Sequence, residues 1–136
     1  MTRLVLILSV MIVGIGCSTE EPLVDTKANS LVDITSKDQF ETEVKSGVSM
    51  VFFHASWCTK CAAQRPAVET VSEEAKFTNV FFAEVEYEDF SDIVKARSIN
   101  GFPTIVIYKD DVEVKRFAGQ GHSEDEIRIA LEEAIK

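Results

Sequence analysis

The sequence predicts an α/β fold in which a mixed central sheet is covered by helices on both faces. From Leu31 onward, short apolar runs alternate with helical patterns. The alternation closes with two consecutive strands and a last helix, which adds antiparallel pairing to a parallel sheet. Composition fits a single domain: 136 residues, 46% hydrophobic and 27% charged, can bury a core without disulfide staples.

Each element has a local reason. Residues 31–35 read as a short strand, and residues 36–46 as a helix opened by the capping residue Ser36. Residues 48–54 form an apolar central strand, and a helix is predicted over 59–76. A strand over 79–86 and a helix over 90–96 follow, then the turn Gly101-Phe102-Pro103. Strands at 104–108 and 113–118 flank Asp110-Asp111, a hairpin turn without the usual glycine. Ser123 is the expected N-cap of a final helix over 124–135.

Before this domain the chain has a different character. Arg3 precedes an apolar run from Leu4 to Ile15, long enough for a signal-peptide core and short for a membrane span. Residues 18–30 are polar, without a sustained apolar period, and read as a tether. The expected organisation is a signal peptide at 1–16, a tether at 17–30 and a folded domain at 31–136.

The residues that carry chemistry are Trp57-Cys58-Thr59-Lys60-Cys61. Two thiols separated by two residues, at the start of a helical pattern, suit a dithiol that opens and closes a disulfide. If the helix begins near Cys58, its unpaired N–H groups and dipole face that sulfur and favour the thiolate. Cys58 is then the nucleophile. Cys61, about one turn on, is the resolving thiol that attacks the mixed disulfide. Lys60 adds a secondary positive charge beside the pair.

Trp-Cys-x-x-Cys, Pro66 eight residues after Cys58, and Pro103-Thr104 opening a later apolar strand together resemble the thioredoxin superfamily. The resemblance covers nearly all of residues 31–136 and implies a thioredoxin-like fold. It also implies that Pro103 is cis and lies against the dithiol, and that Trp57, Phe102 and Pro103 form a substrate-binding edge. Pro66 is expected to kink the active-site helix by removing a backbone donor. The sequence departs from the family where a buried acid usually stands six residues before the first cysteine: this chain has Phe52. Glu84 falls where thioredoxins often carry a lysine near that acid, and it is the candidate for a relocated proton relay. Thr59-Lys60 replaces Gly-Pro, and His54 replaces a second tryptophan. His54 reads first as a packed core histidine, with proton transfer as the alternative.

Gly14-Ile15-Gly16-Cys17 resembles a bacterial lipobox, in which Cys17 is lipidated and becomes the first residue after cleavage. Gly16 fits that pattern, whereas an aliphatic residue is usual where Gly14 stands. Lipidation makes Cys17 a thioether, which explains a third cysteine without a redox partner. Location in the bacterial cell envelope, lipid-anchored on the exported, periplasmic side, follows from this resemblance.

A formal charge of −9 with no basic cluster argues against nucleic-acid binding. Loss of residues 1–16 removes only Arg3 among the charged side chains and makes the remainder more acidic. A structural zinc site needs about four ligands, and only Cys17, His54 and His122 could join the Cys58 and Cys61 pair, so no metal and no cofactor are expected.

The expected function is a membrane-tethered thiol–disulfide oxidoreductase, first a reductase of disulfides in exported proteins. The expected partners are protein disulfides or dithiols and a membrane or periplasmic electron donor, with the protein acting as a monomer. Two alternatives stay open: a disulfide oxidase or isomerase, and a non-enzymatic module that binds a peptide or Cu(I).

Overall fold

A computed structural model describes residues 31–136. The expected signal peptide, the tether and Cys17 lie outside the described residues. In chain order the elements are β1 (Val32–Asp33), α1 (Lys37–Val44), β2 (Val48–His54), α2 (Thr59–Ser72), a 3-10 turn (Ala75–Phe77), β3 (Val80–Glu86), α3 (Ser91–Ala96), β4 (Thr104–Lys109), β5 (Val112–Ala118) and α4 (Glu124–Ala134).

The five strands form one sheet in the order β1-β3-β2-β4-β5. β1, β3 and β2 run parallel, while β4 and β5 are antiparallel to their neighbours. The central position of β2 explains its nearly continuous apolar sequence, since both of its faces are covered. Successive side chains alternate between the faces. Met50 and Phe52 enter a core with Val68 and Val71 of α2 and Ile127 and Leu131 of α4. Val51 and Phe53 enter a second core with Phe40 and Val44 of α1 and Ile93 and Val94 of α3. The mixed sheet with helices on both faces is thus the one expected from the sequence.

Two boundaries differ from the sequence-based reading for identifiable reasons. The helix predicted to residue 76 ends at Ser72, and the chain tightens into the 3-10 turn. This turn puts Phe77, fully buried, edge-on against Phe82 with ring centroids 6.4 Å apart. Burying a phenylalanine outweighs a further turn of exposed helix. The first strand is only two residues long because it pairs with β3 at just Ala83 and Glu84.

The glycine-free hairpin is built from Asp110 and Asp111, both at positive φ (52° and 65°), a conformation that aspartate tolerates better than most residues. Its hydrogen bonds to the α1–β2 connection hold it in place: Gly47 N–H donates to Asp110 Oδ1 at 2.9 Å, and Asp111 N–H donates to Val44 O at 2.8 Å. Ser123 caps α4 as expected, with Glu126 completing a reciprocal capping box.

Candidate active site

β2 delivers the chain directly to the dithiol. After His54, Cys58 donates its N–H to Ala55 O at 3.1 Å and then serves as the N-cap of α2. Its extended backbone turns Sγ toward the first helical turn, where Sγ accepts the Cys61 N–H at 3.1 Å. An N-cap site supplies unpaired N–H groups and the positive end of the helix dipole, both favourable to a thiolate. Cys58 and Cys61 are joined by a disulfide with Cα atoms 5.2 Å apart. Cys61 is the more buried, at 4% exposure against 9% for Cys58.

An open groove of about 690 Å³ runs beside Cys58, lined in part by Trp57, Tyr87, Val94, Ile99 and Phe102. Trp57 is 66% exposed, an unusual placement for a large aromatic side chain, and stands edge-on to Phe102 with centroids 6.2 Å apart. Phe102 also packs against Tyr87 at 5.3 Å. The Phe102–Pro103 peptide bond is cis, as the resemblance implied. Pro103 itself is buried, and its carbonyl accepts the Gly119 N–H at 2.8 Å. Trp57, Cys58 and Phe102 therefore share one groove, and Pro103, next in the chain, is held by Gly119, the residue that follows β5.

Glu84 lies directly across from Phe52 in the parallel β2–β3 register, so it does neighbour the position of the missing acid. It sits in a polar cluster beneath α2. Arg65 Nη2 donates to Glu84 Oε2 at 2.5 Å, and the guanidinium stacks over the Phe52 ring, 5.3 Å from its centroid. His54 Nε2 is 3.1 Å from the same oxygen but out of line for a hydrogen bond, so that contact is electrostatic. The His54 ring stacks on Phe52 with centroids 5.5 Å apart. Asp33 of β1 meets Glu84 from the other side in register.

The cluster sets its own charges. Burial by itself raises the carboxyl pKa of Glu84, but the adjoining His54 ring and the Arg65 guanidinium outweigh it and hold the value down at about 2. Asp33 moves the opposite way, raised by its hydrogen bond to Glu84 and by repulsion between the two carboxylates. Among the described residues no group of three or more His, Cys, Asp or Glu side chains could hold a metal ion.

Sequence reasoning missed Arg65 and Asp33. Arg65 could have been found, because it stands four residues after Cys61 and so shares its face of the helix. An arginine on an inward face requires an anion. Asp33 could not, because only strand pairing brings it to Glu84. His122 lies in the loop before α4, where the sequence placed it, with its backbone bound to Gln64.

A mixed five-stranded sheet with a dithiol capping a helix beside a cis-proline loop defines a thiol–disulfide oxidoreductase. The thioredoxin family model matches residues 31–133, and the chain belongs to that family. It is 26% identical over 99 residues to a thioredoxin of Chlamydia caviae, covering 73% of this chain and 95% of that one. Identity to a thioredoxin of Coprinus comatus is 32% over 87 residues, 63% of this chain and 82% of the relative. Among solved structures, a thioredoxin of Malassezia sympodialis superposes with a TM-score of 0.70 at 27% identity, covering 79% of this chain and 92% of that chain.

Proposed function

We propose that the protein is a membrane-tethered reductase of disulfides in exported proteins, held on the periplasmic side of a bacterial membrane by a lipid on Cys17. The observation that carries the chemistry is the placement of Cys58 at the N-cap of α2 beside the open groove, with Cys61 buried behind it. The tether is supported by the Gly16-Cys17 pattern after a short apolar run. The direction is supported by the plain single-domain plan of the described residues, with only a 3-10 turn between α2 and β3.

In this reading the Cys58 thiolate attacks one sulfur of a substrate disulfide. The substrate S–S bond breaks, and a mixed disulfide forms. Cys61, deprotonated, then attacks Cys58 Sγ. The Cys58–Cys61 disulfide closes, and the second substrate thiolate leaves, so two electrons have passed to the substrate. A dithiol donor in or near the membrane returns the pair to the reduced state. Trp57, Phe102 and Pro103 position the substrate segment, and Glu84 belongs to the relay that handles the Cys61 proton.

The test is trapping. Cys61→Ser is expected to accumulate mixed disulfides with exported proteins, visible by mass spectrometry, whereas Cys58→Ser captures nothing and loses insulin-disulfide reduction. Capture by Cys58→Ser alone would reverse the two roles.

A further inference from the structure

We propose that His54 accepts the proton of Cys61 when the mixed disulfide resolves, with Glu84 holding the imidazole and Arg65 holding Glu84. The inference rests on the two-step exchange above and identifies the group that makes its second step possible.

The need comes from burial. Cys61 is 4% exposed and must lose a proton to attack, while desolvation favours the neutral thiol. Phe52, fully buried in the core that also contains Cys61, has nothing to accept that proton. An ionisable cluster lies under the same helix, against the Phe52 ring that shares the Cys61 core. Arg65 is one turn beyond Cys61 on α2, about 6 Å along the axis, and covers Phe52.

Within that cluster the roles separate by chemistry and position. Arg65 has no lone pair to offer. Glu84 is fixed as a carboxylate by Arg65, and at its low pKa it is a weak base. Asp33 is on the exposed edge strand, with β3 between it and β2. Glu86, the partner of His54 in register, follows Glu84 by two residues on β3.

His54 remains, and its surroundings suit the task. It ends β2, the strand that runs into the dithiol, and stacks on Phe52. Its side chain is 13% exposed, enough to shed a proton to solvent. Nε2 is buried, lacks a hydrogen-bond partner among the described residues and faces the Glu84 carboxylate at 3.1 Å. A carboxylate there stabilises the imidazolium as it forms, and histidine is the side chain whose ordinary charge change falls closest to neutral pH.

The step balances. The Cys61 S–H bond breaks, and an N–H bond forms on the imidazole. The electron pair left on sulfur forms the Cys58–Cys61 bond, and the pair from the broken mixed disulfide leaves with the substrate sulfur, which takes a proton from solvent. The imidazolium then returns its proton to solvent.

The test measures attack and release separately by stopped flow, using the full-length protein in detergent and a fluorogenic peptide disulfide. His54→Gln is expected to slow release at neutral pH by about tenfold or more while leaving attack within about twofold. It should also flatten the dependence of the release rate on pH that a proton acceptor in this step produces. His54→Ala should recover release when free imidazole is added, and Glu84→Gln should show an intermediate defect. Unchanged release in His54→Gln overturns the proposal, as does an equal slowing of both steps at every pH. If that variant does not fold, the wild-type profile decides, since a release rate that does not change with pH also overturns it. Failure of wild-type Cys58 to attack at all would overturn the exchange reading and this inference with it.

Discussion

Gln64 and His122 are joined by two hydrogen bonds: Gln64 Nε2 donates to His122 O at 2.7 Å, and His122 N–H donates to Gln64 Oε1 at 3.0 Å. The same Oε1 accepts the Gly121 N–H at 2.9 Å. Gln64 is 2% exposed on the active-site helix, and the loop it grips also donates the Gly119 N–H to Pro103 O. One buried amide thus ties the helix that carries the dithiol to the loop that supports the cis-proline. Gly121 holds φ at 95°, a conformation that glycine adopts without steric cost.

Replacing Gln64 with Leu should therefore destabilise the domain by about 2–4 kcal/mol, because backbone groups of the loop lose their partners in a part-buried site. Urea denaturation measures the loss. Amide hydrogen exchange should show Gly121 and His122 losing protection before the strands do.

The Arg65–Glu84 pair should show measurable coupling, since Glu84 keeps only 12% of its side chain exposed. Arg65 is 31% exposed, so solvent screens part of the attraction. A double-mutant cycle with Arg65→Met and Glu84→Gln is expected to give a coupling of about 1–2 kcal/mol. Arg65→Met alone should cost more than the double variant, because it leaves the Glu84 charge uncompensated.

Acid unfolding should carry the signature of Glu84. Its carboxyl lies near 4.5 when unperturbed and at about 2 in the fold. The native state therefore holds the ionised form more strongly than the unfolded chain does. The resulting stability is fully present above about pH 4.5 and is lost as pH falls through about 2. Glu84→Gln should flatten that part of a stability–pH curve measured by denaturant titration.

Asp33 should act in the opposite sense. Its raised carboxyl pKa means that ionisation is penalised in the folded state, so its contribution becomes unfavourable as pH rises through that ionisation. Asp33→Asn is expected to stabilise the domain at neutral pH and to lose that advantage in acid, where the wild-type side chain is already protonated. The same denaturant titration checks both variants.

The proposed tether predicts a covalent label. Expressed in a bacterium, the full chain should incorporate labelled palmitate and partition into detergent, and Cys17→Ala should lose both properties. Mass spectrometry of the mature N-terminus should find Cys17 as the first residue.

Much of the site was legible because its chemistry is local in sequence. Cys58 and Cys61 stand three residues apart at a helix start, so helix geometry alone assigns one to the N-cap and the other to the next turn. Apolar runs identified β2 and its neighbours, and strand–helix alternation placed helices on both sides of the sheet. Glu84 was found by resemblance to a family strand, and the register then put it opposite Phe52.

What the sequence could not supply was the company Glu84 keeps. Asp33, His54, Arg65 and Glu84 come from β1, β2, α2 and β3, and no spacing along the chain encodes their meeting. Strand order put Asp33 beside Glu84, and packing of α2 on the sheet brought Arg65 over Phe52 and onto the carboxylate. The charges followed from that geometry, because a carboxyl's pKa depends on which groups surround it and how much water they displace. Sequence determined the dithiol and its helix through short-range backbone geometry; the electrostatic cluster beneath it was decided only by tertiary structure, through contacts between elements far apart in the chain.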